Sequence, residues 1–222
     1  MIQFVLFNVS AAIYAYHFTH FYDGEPGGSS SGNIFQKTWK LFTGPKFYKL
    51  KSEPEPSFPC QPINLLTREG LSLDARYSTV DSSRGCVIFF HGITVNRSFI
   101  YDEASMIRKL GYNVLLVDFR AHGKSEGHTS TFGVDETGDV QAAFEFASSK
   151  NSVVILYGCS LGANTALKAT AEGKAKPAAI IAEMPFDNLH NHFKARAKNV
   201  GFPQEPFAFL VTAWIGIERG FN

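Results

Sequence analysis

Short apolar runs recur through the middle of the chain: Cys86 to Phe90, Val114 to Val117, Val153 to Tyr157 and Ala178 to Ala182. Each is too short for a helix and is separated from the next by a segment of helical length, a pattern that predicts buried parallel strands in an α/β sheet. Tyr101 to Leu110, Thr137 to Ser148 and Leu161 to Glu172 supply the predicted crossover helices. Ahead of these runs, Ile63 to Thr67 and Leu71 to Tyr77 alternate polar and apolar residues around Arg68-Glu69-Gly70, which reads as an antiparallel hairpin. The expected fold class is α/β, a mostly parallel sheet with an N-terminal antiparallel hairpin. No internal repeat is visible.

The first residues follow another pattern. Ile2 to Phe21 is apolar and aromatic, interrupted by Asn8, Ser10 and a few histidines and threonines, and no charge occurs before Asp23. This stretch reads either as a membrane anchor or as a helix packed on the domain. Its continuous apolar part falls short of the roughly 20 residues a spanning helix needs, and it lacks the basic start and small-residue cleavage site of a secretory signal. The flexible Gly27-Gly28-Ser29-Ser30-Ser31-Gly32 stretch follows, then Lys37, Lys40, Lys46, Lys49 and Lys51. Those lysines favour a cytoplasmic side for whatever follows an anchor. Ser52-Glu53-Pro54-Glu55-Pro56 is a linker by composition.

Composition sets the outer limits. With 222 residues, 45% hydrophobic and 18% charged, the chain can bury the core of one ordinary globular domain. A net charge of +1 gives no electrostatic ground for nucleic acid as a partner. Cys60, Cys86 and Cys159 are too few and too scattered for a disulfide framework or a zinc site. Many of the 21 phenylalanines lie near the two ends of the chain, which points to membrane contact or a hydrophobic lid.

The chemistry is concentrated at Gly158-Cys159-Ser160-Leu161-Gly162, placed between an apolar strand and an alanine-rich helix. Strand, sharp turn and helix form the setting in which a serine hydroxyl is presented as a nucleophile. The residues two before and two after the serine must be small so that strand and helix can approach, and Gly158 and Gly162 meet that demand. Acyl transfer also needs fixed donors for the developing oxyanion. One is expected from the amide of Leu161. The second is expected from Ile93, in the loop His91-Gly92-Ile93-Thr94-Val95-Asn96-Arg97 after the third strand, where Gly92 lets the backbone turn.

These motifs, with Val117-Asp118-Phe119-Arg120-Ala121-His122-Gly123-Lys124-Ser125-Glu126-Gly127 between them, resemble the α/β-hydrolase superfamily over roughly Ile63 to Asn222. The nearest likeness is to its serine aminopeptidase S33-like and monoacylglycerol-lipase-like branch. Ala121 departs from the glycine often found there, which affects a turn. The resemblance implies a serine hydrolase that cleaves an ester or amide through an acyl-enzyme at Ser160, with His91 as a structural hydrogen-bonding residue and no metal or organic cofactor. It implies a core over 63–185 and the start of a cap over 186–222, preceded by a hydrophobic segment over 1–22 and a linker and basic segment over 23–62.

Such enzymes carry serine, acid and histidine in that order. Here the acid and histidine are expected beyond Asn222, so the sheet is expected to be incomplete at its C-terminus and the chain inactive or nearly so. Asp187 follows the sixth strand, where some members place the acid. His190 and His192 read as solvent-facing cap residues rather than metal ligands, His122 as a turn residue, and Asp118 and Arg120 as a pair fixing their loop. The expected partner is an apolar small-molecule or peptide substrate, and the expected location is a membrane through residues 1–22 or otherwise the cytoplasm. The alternative is a non-catalytic binding protein on the same scaffold.

Overall fold

The computed structural model describes residues 2–24, 39, 42–51, 54–199, 201 and 203–220. The Gly27–Gly32 stretch, Lys37, Lys40, Ser52 and Glu53 lie outside the described residues. In chain order the elements are α1 (Ile2–Thr19), β1 (Phe21–Tyr22), β2 (Phe47–Tyr48), β3 (Gln61–Leu66), β4 (Ser72–Ser78), β5 (Cys86–Phe90), α2 (Tyr101–Lys109), β6 (Asn113–Val117), α3 (Thr137–Ser148), β7 (Val154–Cys159), α4 (Leu161–Ala171), β8 (Ala179–Glu183), α5 (Leu189–Asn199) and α6 (Phe207–Arg219). The chain forms two compact units, one of Lys49–Pro185 and one of Met1–Tyr48 with Phe186–Asn222.

The Lys49–Pro185 unit is built on a six-stranded sheet of order β3-β4-β6-β5-β7-β8. β3 and β4 pair antiparallel, β4 pairs antiparallel with β6, and β6, β5, β7 and β8 run parallel. This is an α/β-hydrolase fold, a mostly parallel sheet entered through an antiparallel hairpin. All of β5 and β6 is buried because the central strands are covered on both faces. Alternation divides β5: Val87 and Phe89 join Phe58, Ile100, Ala104, Val114, Leu116 and Tyr157 in one cluster. The buried Ile88 and Phe90 point to the opposite face. Each such side chain contributes about 1.5–3 kcal/mol through burial. β7 runs past the apolar stretch because Gly158 and Cys159 continue the ladder, opposite Ala182 and Glu183. β8 is an edge of this sheet, and four of its five residues are exposed.

The other described unit is helical and aromatic. α1 turns the small Ala11 and Ala15, with Phe18, inward. α6 buries Phe207, Ala208, Val211 and Ile215. Trp214 Nε1 donates to Asn8 Oδ1 at 2.8 Å and Arg219 Nε donates to Thr19 Oγ1 at 2.9 Å, so two polar interruptions of α1 serve as contacts between the helices. Tyr14 meets the Phe207 ring edge-on at 5.1 Å. The expectation of a membrane-spanning anchor is corrected here: among the described residues, no helix is long and apolar enough to cross a membrane. The polar Asn8, Ser10, His17 and Thr19 are the physical reason, since they dilute an apolar stretch that is already short.

Candidate active site

Ser160 is the junction of β7 and α4, and its backbone is held at φ 52°, ψ −109°. A non-glycine residue avoids that region, so the surrounding structure must impose it. The constraints are visible on both sides. The Ser160 amide donates to the Glu183 carbonyl at 2.8 Å, continuing the ladder with β8, and the Asn164 amide donates to the Ser160 carbonyl at 3.1 Å, closing the first turn of α4. The glycines of the elbow fit for a steric reason. A methyl on Gly158 would stand 2.3 Å from the Gly162 carbonyl carbon, and one on Gly162 would stand 2.2 Å from the Phe90 carbonyl oxygen.

The His91–Arg97 loop after β5 runs directly against this turn, since a methyl on Gly92 would lie 3.6 Å from Ser160 Cβ. Leu161 opens α4, where amides have no partner within the helix and the helix end carries partial positive charge. Sequence positions far apart, His91 to Arg97 and Gly158 to Gly162, are thus brought into one place. Among the described residues the Ser160 hydroxyl has no hydrogen-bond partner.

Neither buried histidine of this unit can serve Ser160 as a base. His91 donates from Nδ1 to the Gly92 carbonyl at 2.7 Å, and its Nε2 accepts the Phe119 amide at 3.1 Å. His122 donates from Nδ1 to the Arg120 carbonyl at 2.9 Å, and its Nε2 accepts the Thr94 amide at 3.3 Å. Both ring nitrogens of each are engaged, and both rings are neutral. Burial, reinforced by Arg97, pulls His91 down to about 4 against the pull of the Gly92 carbonyl. Burial and the neighbouring His91 pull His122 down to about 3. His122 is therefore more than a turn residue, because it ties the loop after β6 to the loop after β5.

The sign of the resulting pH dependence follows from linkage. An unfolded imidazole takes a proton near pH 6.5. Below that pH the unfolded chain binds protons that the folded core refuses, so the contribution is intact above about pH 6.5 and is lost as pH falls towards 4 and 3. Each ring steepens the loss by up to about 1.4 kcal/mol per pH unit. Urea unfolding at pH 7, 6, 5 and 4 is expected to give a shallower slope for His122→Asn than for the wild type. Equal slopes would mean that His122 titrates as a free imidazole.

Charged residues around the loops pair differently from the expected Asp118–Arg120 contact. Asp118 is wholly buried and accepts from Arg97 Nη1 at 2.8 Å and from the Arg97 amide at 2.8 Å. Arg97 also reaches Asp74 Oδ2 at 2.6 Å. Arg120 instead donates to Asp139 Oδ1 at 2.9 Å through Nε and to Glu69 Oε2 at 2.7 Å. The two side chains belong to separate networks because Asp118 faces the loop after β5 while Arg120 faces the start of α3. Between them Ala121 sits at φ 64°, a left-handed conformation that explains why glycine suits this position. Lys49 from the basic segment is buried, and its Nζ donates to the carbonyls of Ser125 at 2.5 Å and Gly127 at 3.1 Å. The Asn96 amide side chain reaches the Leu50 carbonyl at 2.7 Å. Arg97, His122 and Lys49 carried no signal of these contacts in sequence, since each depends on a long-range partner.

In the other unit, Asp187 is exposed and accepts from the Asn188 amide at 2.8 Å and from Asn191 Nδ2 at 2.5 Å, as a residue ordering the start of α5. Those hydrogen bonds hold its carboxyl below the ordinary carboxylate value. His190 pairs with Glu205 at 2.7 Å. His192 is half-buried rather than solvent-facing, because its ring packs against Phe186 and Phe193. No group of three or more metal-ligating side chains occurs among the described residues.

A strained serine on a strand-to-helix turn, flanked by a glycine loop on a mostly parallel sheet, defines an α/β hydrolase. The family described as serine aminopeptidase, S33, matches residues 81–212, more than half of the chain, and the chain belongs to it. It is 27% identical over 133 residues to protein bem46 of Schizosaccharomyces pombe, covering 57% of this chain and 44% of that one. It is 29% identical over 126 residues to lysophosphatidylserine lipase ABHD12 of Macaca fascicularis, covering 54% and 31%. Among solved structures, the Pyrococcus furiosus esterase Pf2001 superposes with a TM-score of 0.63 at 26% identity, over 75% of this chain and 67% of that one. The chain spans about half the length of the first curated relatives it matches.

Proposed function

We propose that this chain carries the nucleophile and oxyanion hole of a serine hydrolase acting on esters with an apolar acyl group. Ser160 Oγ attacks the acyl carbon, and the amides of Ile93 and Leu161 hold the oxygen that becomes negative. Collapse expels the alcohol and leaves an ester on Ser160, which water then cleaves to release the acid and restore the hydroxyl. The base that takes the serine proton is a residue other than His91 and His122. The observation that carries the reading is Ser160 at φ 52° with Gly92 packed against it. The similarity to the esterase Pf2001 and to the lysophosphatidylserine lipase ABHD12 favours an ester over a peptide. A membrane surface as the place of action is supported by the exposed Phe4, Val5, Leu6 and Val9 of α1.

A fluorophosphonate probe is expected to label Ser160 in the protein isolated from its source cells, and Ser160→Ala is expected to abolish labelling. A source protein that stays unlabelled at Ser160 would overturn the hydrolase reading in favour of a non-catalytic binding scaffold.

A further inference from the structure

Two neutral imidazoles bracket Ile93. His91 holds the peptide before it by the Gly92 oxygen, at 2.7 Å. His122 holds the peptide after it by the Thr94 nitrogen, at 3.3 Å. In a trans peptide the C=O and N–H point in opposite directions. Fixing the Gly92 oxygen on the His91 side therefore turns the Ile93 N–H to the other side, and fixing the Thr94 N–H on His122 turns the Ile93 carbonyl away from that ring. Both planes that meet at Ile93 Cα are set in this way. Thr94 stands at φ 65°, a conformation that a β-branched residue leaves when nothing holds it.

The geometry points to His122 as the positioning residue of the oxyanion loop: by accepting the Thr94 amide it fixes the peptide that follows Ile93, and with His91 holding the peptide that precedes it, Ile93 cannot swing and its N–H keeps its direction. The use of that amide rests on the hydrolase reading above, whereas the clamp itself does not. A histidine suits the task because one ring spans two loops, donating to the Arg120 carbonyl after β6 and accepting from Thr94 after β5. The neighbouring loop residues are fixed independently, Arg97 by Asp118 and Asn96 by Leu50, so His122 restrains the middle of the loop. His91 faces the ring, its centroid 5.1 Å away, and the charges of Glu136 and Asp118 also act on it. Burial and His91 outweigh the two carboxylates, which keeps Nε2 an acceptor at neutral pH.

The test uses the 222-residue chain with ¹⁵N-labelled histidines. The His122 ring is expected to show a protonated Nδ1 and an unprotonated Nε2, unchanged from pH 8 to pH 5. His122→Leu is expected to speed hydrogen exchange of the Thr94 amide by about 100-fold while the amides of β5 and β6 keep their protection. His122→Asn, whose side-chain oxygen can accept in the same direction, is expected to recover part of that loss. In protein expressed in the source cells, His122→Leu is expected to lower the maximal rate of Ser160 labelling by about 10² without changing the half-saturating probe concentration. A ring protonated on Nε2, or Thr94 exchange equal in wild type and His122→Leu, overturns the proposal. If the leucine variant does not fold, the wild-type ring spectrum decides alone. An intact clamp with an unlabelled Ser160 counts against the hydrolase reading only, and the converse result counts against the clamp only.

Discussion

Replacing Arg97 with methionine is expected to cost about 3–5 kcal/mol, a large part of the 5–15 kcal/mol typical of a folded domain. Arg97 and Asp118 are both wholly buried, and Arg97 Nη1 lies 2.8 Å from Asp118 Oδ2 and 2.6 Å from Asp74 Oδ2. Removing the cation leaves Asp118 charged inside the protein with backbone amides as its remaining donors. Burial already raises the Asp118 carboxyl against the opposing pull of Arg97, so the variant should take up a proton there. A carboxyl raised above its unfolded value contributes stability at low pH and loses it as pH rises. The defect should therefore be smaller at pH 5 than at pH 8. Urea unfolding at both values checks this, and replacing Asp118 with leucine in the same chain should recover part of the loss by removing the stranded charge. A cost near 1 kcal/mol, independent of pH, would show that the pair is hydrated.

Gly158→Ala is the second large effect. The added carbon would stand 2.3 Å from the Gly162 carbonyl carbon, 2.4 Å from its oxygen and 2.5 Å from the Ala163 nitrogen. All three are backbone atoms at the start of α4, so no side-chain rotation relieves the clash. The helix must move off the strand, at about 3 kcal/mol or more. Gly92→Ala is the control, because its nearest neighbour at 3.6 Å is in ordinary contact and the fold should tolerate it. Ser160→Gly should act in the opposite direction. It removes a side chain from φ 52° and should stabilise the unit by about 1–2 kcal/mol, while eliminating the proposed nucleophile. Thermal unfolding of the three variants orders them directly, and a Gly158→Ala protein as stable as Gly92→Ala would contradict the packing argument.

Much of the fold was legible because its signals are local. Cys86 to Phe90 and Thr137 to Ser148 are strand and helix over the stated residues, since an uninterrupted apolar run and a segment of helical length between such runs need no knowledge of partners. The elbow was legible for the same reason: strand, glycine, serine, glycine and helix are contiguous. Contacts between loops were not. Asp118 and Arg120 are two residues apart and of opposite charge, which suggested a pair, but their side chains serve different loops. The partner of Asp118 lies on the loop after β5, and nothing in a single sequence links Arg97 to it. Likewise His122 follows a strand in a segment that reads as a turn, and only the folded chain brings Thr94 to its ring. Residues 2–19 were legible as a helix, yet the fate of its apolar side chains depended on α6, far along the chain.

Lys49 precedes every strand of the large sheet, yet its ammonium sits under the loop that follows β6, bonded to the carbonyls of Ser125 and Gly127. A recombinant fragment started at Gln61, the first residue of the six-stranded sheet, would keep every ladder of that sheet and lose this cation. Two inward carbonyls would then have to recruit water, and the segment that holds Asp118 and His122 would be the first to loosen. For anyone trimming, fusing or circularly permuting this protein, the functional boundary is therefore set by a buried charge rather than by the outermost strand.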